Sequence, residues 1–289
     1  MAPTFQRLTV VCCQDGASRE RFLDLGVPAA RLCLTGSMKY DDAPLDRETA
    51  DVARCRQLAG IQDEQMIWLA GSTAPGEEAM ALRIYQRLSP RFPQLRLILV
   101  PRHRERFDEV AEEIARAGLV CRRRRAFTET TAAPAWDRQT VLLIDTIGEL
   151  KAWWGTSQLA LVGGSFGRRG GQNMLEPCGY GSAVAFGPST RNFRDIVRSL
   201  KTAGGAVEVA DEAELAAFVE RGLSDRRWAE TLGQAAQTLI RQHRGATERT
   251  IAALPLAPPA LPAETARLDT QQTSTNQAGT DQADQPRAA

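Results

Sequence analysis

The chain predicts an α/β fold built on a parallel sheet. Short apolar runs alternate with longer helical stretches along most of its length, and loops rich in Gly, Ser and Arg follow the apolar runs. Of the 289 residues, 43% are hydrophobic and 25% charged, a balance that supports a packed globular domain.

Taken in order, Leu8–Cys12 and Leu32–Thr35 read as strands around a helix at Ser18–Leu25. This β-α-β piece is too short to be a domain. Further strands are expected at Met66–Ala70, Leu95–Val100, Val141–Ile144, Leu159–Gly163, Ala183–Phe186 and Ala206–Val209. Helices fall between and after them, at Glu77–Arg91, Arg104–Ala117, Phe193–Ala203, Glu212–Gly222 and Arg226–Ala252. The last carries Trp228, Leu232, Ala235, Leu239 and Ile240 near one face, a packing stripe. Gly26 and Gly118 suit the position just past a helix end, where a left-handed residue is favoured.

These elements divide the chain into residues 1–36, a linker at 37–44, a main domain at 45–254 and a tail at 255–289. The tail is Pro-, Ala-, Gln- and Thr-rich with almost no large apolar residue, so it is expected to be disordered. There is no repeat of domain-building length.

Composition excludes several functions. A net charge of +1 gives no global argument for nucleic acid. The 6 cysteines (Cys12, Cys13, Cys33, Cys55, Cys121, Cys178) form no C-x-x-C pair, and with only 2 histidines no metal site is expected. Reduced thiols suit a cytoplasmic compartment. No run reaches the ~18–20 apolar residues needed to cross a bilayer. Met1–Val11 does not read as a signal peptide, so any membrane contact is expected to be peripheral.

The chemistry is expected on three loops at strand ends, the edge where open α/β sheets bind ligands. The strongest is Gly163-Gly164-Ser165-Phe166-Gly167-Arg168-Arg169-Gly170-Gly171-Gln172-Asn173-Met174-Leu175-Glu176-Pro177. Its glycines let backbone approach a ligand, its amides could cradle a phosphate, and Glu176 could accept bonds from sugar hydroxyls. The G-x-G-x-x-G dinucleotide spacing is not convincingly present. The loop Gly71-Ser72-Thr73-Ala74-Pro75-Gly76-Glu77-Glu78 reads first as a helix cap and second as a phosphate site. In Pro101-Arg102-His103-Arg104-Glu105-Arg106-Phe107, Arg102 and His103 suit an anion, while Arg104 and Arg106 read as a solvated helix start. Arg122–Arg125 likewise reads as a solvated face, Asp145 as a helix cap, Trp153-Trp154 as core and rim, and Asn192 and Phe193 as cleft lining or packing.

Taken together and in order, these loops resemble the bacterial 3-deoxy-D-manno-octulosonic acid (Kdo) transferase family. The matching stretches are Thr35-Gly36-Ser37-Met38-Lys39-Tyr40-Asp41, Gly71-Ser72-Thr73 with Gly76-Glu77-Glu78, Pro101-Arg102-His103 with Glu105-Arg106-Phe107, Asp145-Thr146-Ile147-Gly148-Glu149-Leu150, Gly163-Gly164-Ser165 with Gly170-Gly171, and Asn173-Met174-Leu175-Glu176-Pro177. The resemblance runs from about Leu8 to about Ala252. It implies a Rossmann-like sheet, the C-terminal domain of a GT-B glycosyltransferase, preceded by the last β-α-β piece of the N-terminal domain. It also implies transfer of Kdo from CMP-Kdo to a lipid A precursor, with inversion, no cofactor and no obligatory metal.

By position, the resemblance places Ser72, Thr73, Arg102, His103, Gly163, Gly164, Ser165, Gly170 and Gly171 around phosphate and the Kdo carboxylate, and Asn173 and Glu176 at the nucleotide. Gln172 stands where the family usually has His. The family's N-terminal domain, with its membrane-associating segment, acceptor surface and catalytic Glu, has no counterpart among these motifs. The expectation is a donor-binding part at the cytoplasmic face of the inner membrane, inactive without a separately encoded N-terminal half. A noncatalytic CMP- or sugar-nucleotide-binding module and another GT-B glycosyltransferase remain open beside it.

Overall fold

The computed structural model describes residues 2–127 and 136–255, which build two sheets. Strands β1 (Val11–Cys13) and β2 (Leu32–Leu34) pair in parallel as a small sheet. Strands β3 (Met66–Thr73), β4 (Leu95–Pro101), β5 (Val120–Arg123), β6 (Thr140–Leu143), β7 (Leu159–Val162), β8 (Ala183–Phe186) and β9 (Val207–Glu208) form an all-parallel sheet in the order β5-β6-β4-β3-β7-β8-β9. The helices are α1 (Ala2–Phe5), α2 (Gly16–Asp24), α3 (Ala50–Ala59), α4 (Glu77–Leu88), α5 (Phe107–Arg116), α6 (Leu150–Trp154), α7 (Leu175–Gly179), α8 (Arg194–Thr202), α9 (Glu212–Ser224), α10 (Arg226–His243) and α11 (Ala246–Ala253).

The central strands are apolar on both faces because both faces are covered. Ile67, Leu69, Ile98, Val162 and Phe186 point to a core completed by α3, α6, α7 and α8. Trp68, Ala70, Leu97, Leu99 and Leu161 alternate with them toward α4, α5 and α9. Helix α10 seals both cores, Leu239 and Ile240 facing one and Ala229 and Leu232 the other. Gly26 and Gly118 follow helix ends with φ of +85° and +73°, as expected.

Four expectations are corrected. β5 was not expected, because Val120-Cys121-Arg122-Arg123 carries its charge within the strand. Arg122 and Arg124 are buried, and the cluster is no solvated face. Arg123 pairs with Asp145 and Asp108, both at 2.6 Å, and Arg124 with Glu149 at 2.9 Å. Asp145 consequently serves Arg123 and Arg125, accepting also from the Arg125 amide at 2.9 Å, and does not cap a helix. The helix α3 was also missed, its apolar residues being sparse.

The long C-terminal helix breaks into α10 and α11 at Gly245, whose φ is +85°. Asp41, from the expected linker, caps the second piece by accepting from the amides of Gly245 (2.7 Å), Ala246 (3.3 Å) and Thr247 (2.7 Å). Arg249 of α11 donates to the Thr35 carbonyl at 2.8 Å, tying the helix to the end of β2. Residues up to Leu254 form one compact unit. The expected tail, apart from Pro255, lies outside the described residues.

Candidate functional site

The chain leaves β3 toward β4 on one side and returns to β7 on the other, so the sheet order reverses between β3 and β7. Open α/β sheets hold ligands beyond the carboxyl ends of strands at such a point. The loops after β3, β4 and β7 supply the candidate residues, and Asn173 and Glu176 stand at the start of α7.

Ser72 and Thr73 lie on the strand itself, beyond the end expected for β3. A bulge between Gly71 and Thr73 interrupts the register with β4. Ser72 adopts a φ of 55°, the one left-handed non-glycine among the described residues, a strained conformation of the sort that collects at functional sites. Gly71 accommodates the Trp154 ring, which a side chain there would strike.

The amide cradle of the Gly-rich loop is already filled. Glu77, the first residue of α4, is buried, and its Oε2 accepts from the amides of Gly164 (2.7 Å) and Ala74 (2.8 Å). Its Oε1 accepts from the amides of Ser165 (2.9 Å) and Phe166 (3.1 Å). The amides of Gly164 and Ser165, expected from the sequence to face phosphate, are thus engaged by a side chain of the same chain. Ser165 is wholly buried, donating to Val162 and accepting from the Gly187 amide. Gly163 is required because a Cβ would collide with Glu77 and the Ser72–Thr73 backbone, so its role is close packing.

Thr73 is likewise engaged. Its hydroxyl donates to Glu78 Oε1 at 2.7 Å, and Glu78 forms a buried pair with Arg106 at 2.6 Å. Arg106 is therefore not solvated as expected, and the loop makes no side-chain cap, since α4 starts after Gly76.

The remaining candidates keep free chemistry. Arg102 is exposed, and its amide donates to the Thr73 carbonyl at 3.1 Å. His103 Nε2 meets Arg169 Nη1 at 2.5 Å, a contact the sequence did not signal beyond placing an arginine inside a Gly-rich loop. Gly170 and Gly171 have φ of +88° and +84°. They turn the chain back over Gly164, whose carbonyl accepts from the Gly171 amide at 2.9 Å. Asn192 holds this turn by donating to the Arg169 carbonyl at 3.0 Å. With Phe193, Lys39, Tyr40 and His243 it also lines a cavity of about 180 Å³.

Asn173 donates to Glu176 Oε1 at 3.3 Å and accepts from the Leu175 amide at 3.1 Å. Burial lifts the Glu176 carboxyl above the ordinary range, while Asn173, Lys151, Trp154 and Arg102 pull against it. Glu149 behaves oppositely: burial raises it, but bonds from Thr146 and Trp153 and the charge of Arg124 outweigh that and leave it low. Among the described carboxylates named at this edge, Glu77 faces four amides, and Glu78, Asp145 and Glu149 face arginines. Glu176 has no ion-pair partner among the described residues.

The chain is 35% identical over 248 residues to the 3-deoxy-D-manno-octulosonic acid transferase of Haemophilus influenzae, covering 86% of this chain and 56% of that protein. Its identity to the protein of the same name from Bordetella pertussis is 36% over 236 residues, covering 78% and 53% respectively. The chain thus spans about half the length of the curated relatives it matches. The crystal structure of the C-terminal CMP-Kdo binding domain of WaaA from Acinetobacter baumannii is similar with a TM-score of 0.60 and 28% identity, over 66% of this chain and 98% of that domain. No protein-family model matches the chain. The fold class expected from the sequence, the Rossmann-like C-terminal domain of a GT-B glycosyltransferase, is the one found.

Proposed function

We propose, from the premise that this chain is a relative of the 3-deoxy-D-manno-octulosonic acid transferases, that residues 45–254 bind the CMP end of CMP-Kdo as the donor side of a glycosyltransferase. The carrying observation is Glu176, a half-buried carboxylate at the switch-point edge whose nearest hydrogen-bond donors are neutral side chains. A pair of ribose hydroxyls would give it the donors that burial has taken away. Asn173 sets the carboxylate's orientation, and Arg102 stands near enough to lower its pKa.

In the reaction, the acceptor hydroxyl oxygen bonds to the sugar's anomeric carbon as the bond from that carbon to the CMP phosphate oxygen breaks; the hydroxyl proton passes to the general base, and negative charge grows on the departing CMP. Arg102 would stabilise that charge. The acceptor proposed is a lipid A precursor, presented at the cytoplasmic face of the inner membrane. No helix of the described residues is long and apolar enough to cross a membrane, so contact there would be peripheral.

The general base is proposed to lie outside residues 45–254, because Glu77 and Glu78 are both committed to buried partners. The same observation favours a second reading, a CMP-binding module without catalysis. Purified chain mixed with CMP-Kdo and lipid A precursor should transfer nothing; measurable product would refute the division of labour.

Glu176→Gln should move binding and stability in opposite directions. The raised pKa means that the stability associated with this group is complete below the ordinary carboxylate value of about 4.3 and is lost as pH rises through the raised value. The Gln variant should therefore melt higher than wild type at pH 7, with the advantage gone by about pH 4. Its CMP affinity should fall about tenfold, the loss of a charge-assisted bond. Unchanged CMP affinity would take Glu176 out of the site.

A further inference from the structure

We propose that Arg169 is the specificity-determining residue for the acidic sugar, reading its carboxylate from above the end of β3, with His103 positioning the guanidinium. This rests on the donor-binding reading given above and names a residue that reading leaves without a role.

Topology and chemistry converge on it. The loops after β4 and β7 flank β3, so the contact between His103 and Arg169 bridges the end of β3, where Ser72 holds its strained conformation. Beneath that bridge, the amides that would otherwise receive an anion are taken by Glu77. An anion arriving here finds no free cradle at Gly164–Phe166 and must be met by side-chain cations.

Arg169 is suited to that task. It is exposed and has no carboxylate partner among the described residues. Its backbone is fixed on two sides, by Asn192 donating to the Arg169 carbonyl at 3.0 Å and by the Asn192 amide donating to the Gly170 carbonyl at 3.1 Å. A guanidinium only donates hydrogen bonds, so His103 Nε2 accepts and the ring proton sits on Nδ1, which is 3.6 Å from Glu105 Oε1. The imidazole, accepting through Nε2, thus aims Arg169. The guanidinium's remaining N–H groups form the fork that matches a carboxylate.

The test is calorimetric titration of wild type, Arg169→Gln and Arg169→Lys with CMP and with CMP-Kdo, which differ by the acidic sugar. Wild type should prefer CMP-Kdo. The Gln variant should lose about tenfold in CMP-Kdo affinity while its CMP affinity stays within about twofold of wild type, and Lys should recover part of the loss. Equal weakening toward both ligands would overturn the proposal, because Arg169 would then read the phosphate that they share. An unchanged preference in the Gln variant would overturn it too. Wild type that binds CMP but does not discriminate CMP-Kdo from it defeats this inference alone. Wild type that binds neither defeats the donor-binding reading as well. The exposed position makes misfolding separable, since both variants should melt with wild type.

Discussion

Glu77→Ala should cost the fold about 4–6 kcal/mol, because three buried amides and the part-buried amide of Phe166 lose their acceptor at about 1–3 kcal/mol each and entering water offsets part of the loss. That is a large share of the roughly 5–15 kcal/mol that holds a domain together. Ala74, Gly164, Ser165 and Phe166 converge on this one carboxylate, joining the loop after β3 to the loop after β7. Glu77→Gln is the sharper variant. It keeps the shape but turns one oxygen into an NH₂ group facing N–H donors, so it should lose nearly as much as Ala. Urea denaturation of the three proteins decides it. A Gln variant within about 1 kcal/mol of wild type would mean that the amides do not depend on Glu77, and the Gly-rich loop would again be open to phosphate.

Arg106→Met should be the second large loss, about 3–5 kcal/mol, since it strands the Glu78 carboxylate in a place with no solvent exposure. The double variant Glu78→Gln/Arg106→Met should be more stable than Arg106→Met alone. Thr73 can still donate to the Gln carbonyl, and no buried charge is left unpaired. If the double change costs the sum of the single ones, the pair is not coupled, and the network from Thr73 through Glu78 to Arg106 has been misread.

What the sequence could and could not show follows from the range of each interaction. The strands β3, β4, β6, β7 and β8 were legible because parallel strands covered on both faces must be apolar throughout. Gly26 and Gly118 were legible because a helix end of this type asks for a left-handed residue. β5 was hidden by its arginines: Arg122 donates to the Ala59 carbonyl 63 residues earlier, and the Arg123 partner Asp145 arrives 22 residues later.

Long-range partners also hide within the candidate site. Gly163, Gly164 and Ser165 carry the glycine and small-residue pattern of a phosphate loop. The pattern does not say whether the anion is a ligand or a side chain of the same protein. Here it is Glu77, distant by 87 to 89 residues from the amides of Gly164 to Phe166, and no local motif reports that distance. Glu176 was legible as a carboxylate in the first turn of a short helix, and the structure adds that it lacks an ion-pair partner among the described residues. Arg169 was quoted within the loop but given no role, because its contact with His103 depends on β4 and β7 flanking β3.

The central claim is that this domain takes a cytidine nucleotide, and calorimetric titration of the purified chain with CMP, with UMP as control, tests it most directly. The account predicts saturable binding of CMP with UMP clearly weaker, and binding about tenfold weaker in Glu176→Gln. Equal binding of the two nucleotides, or binding of neither, would contradict it.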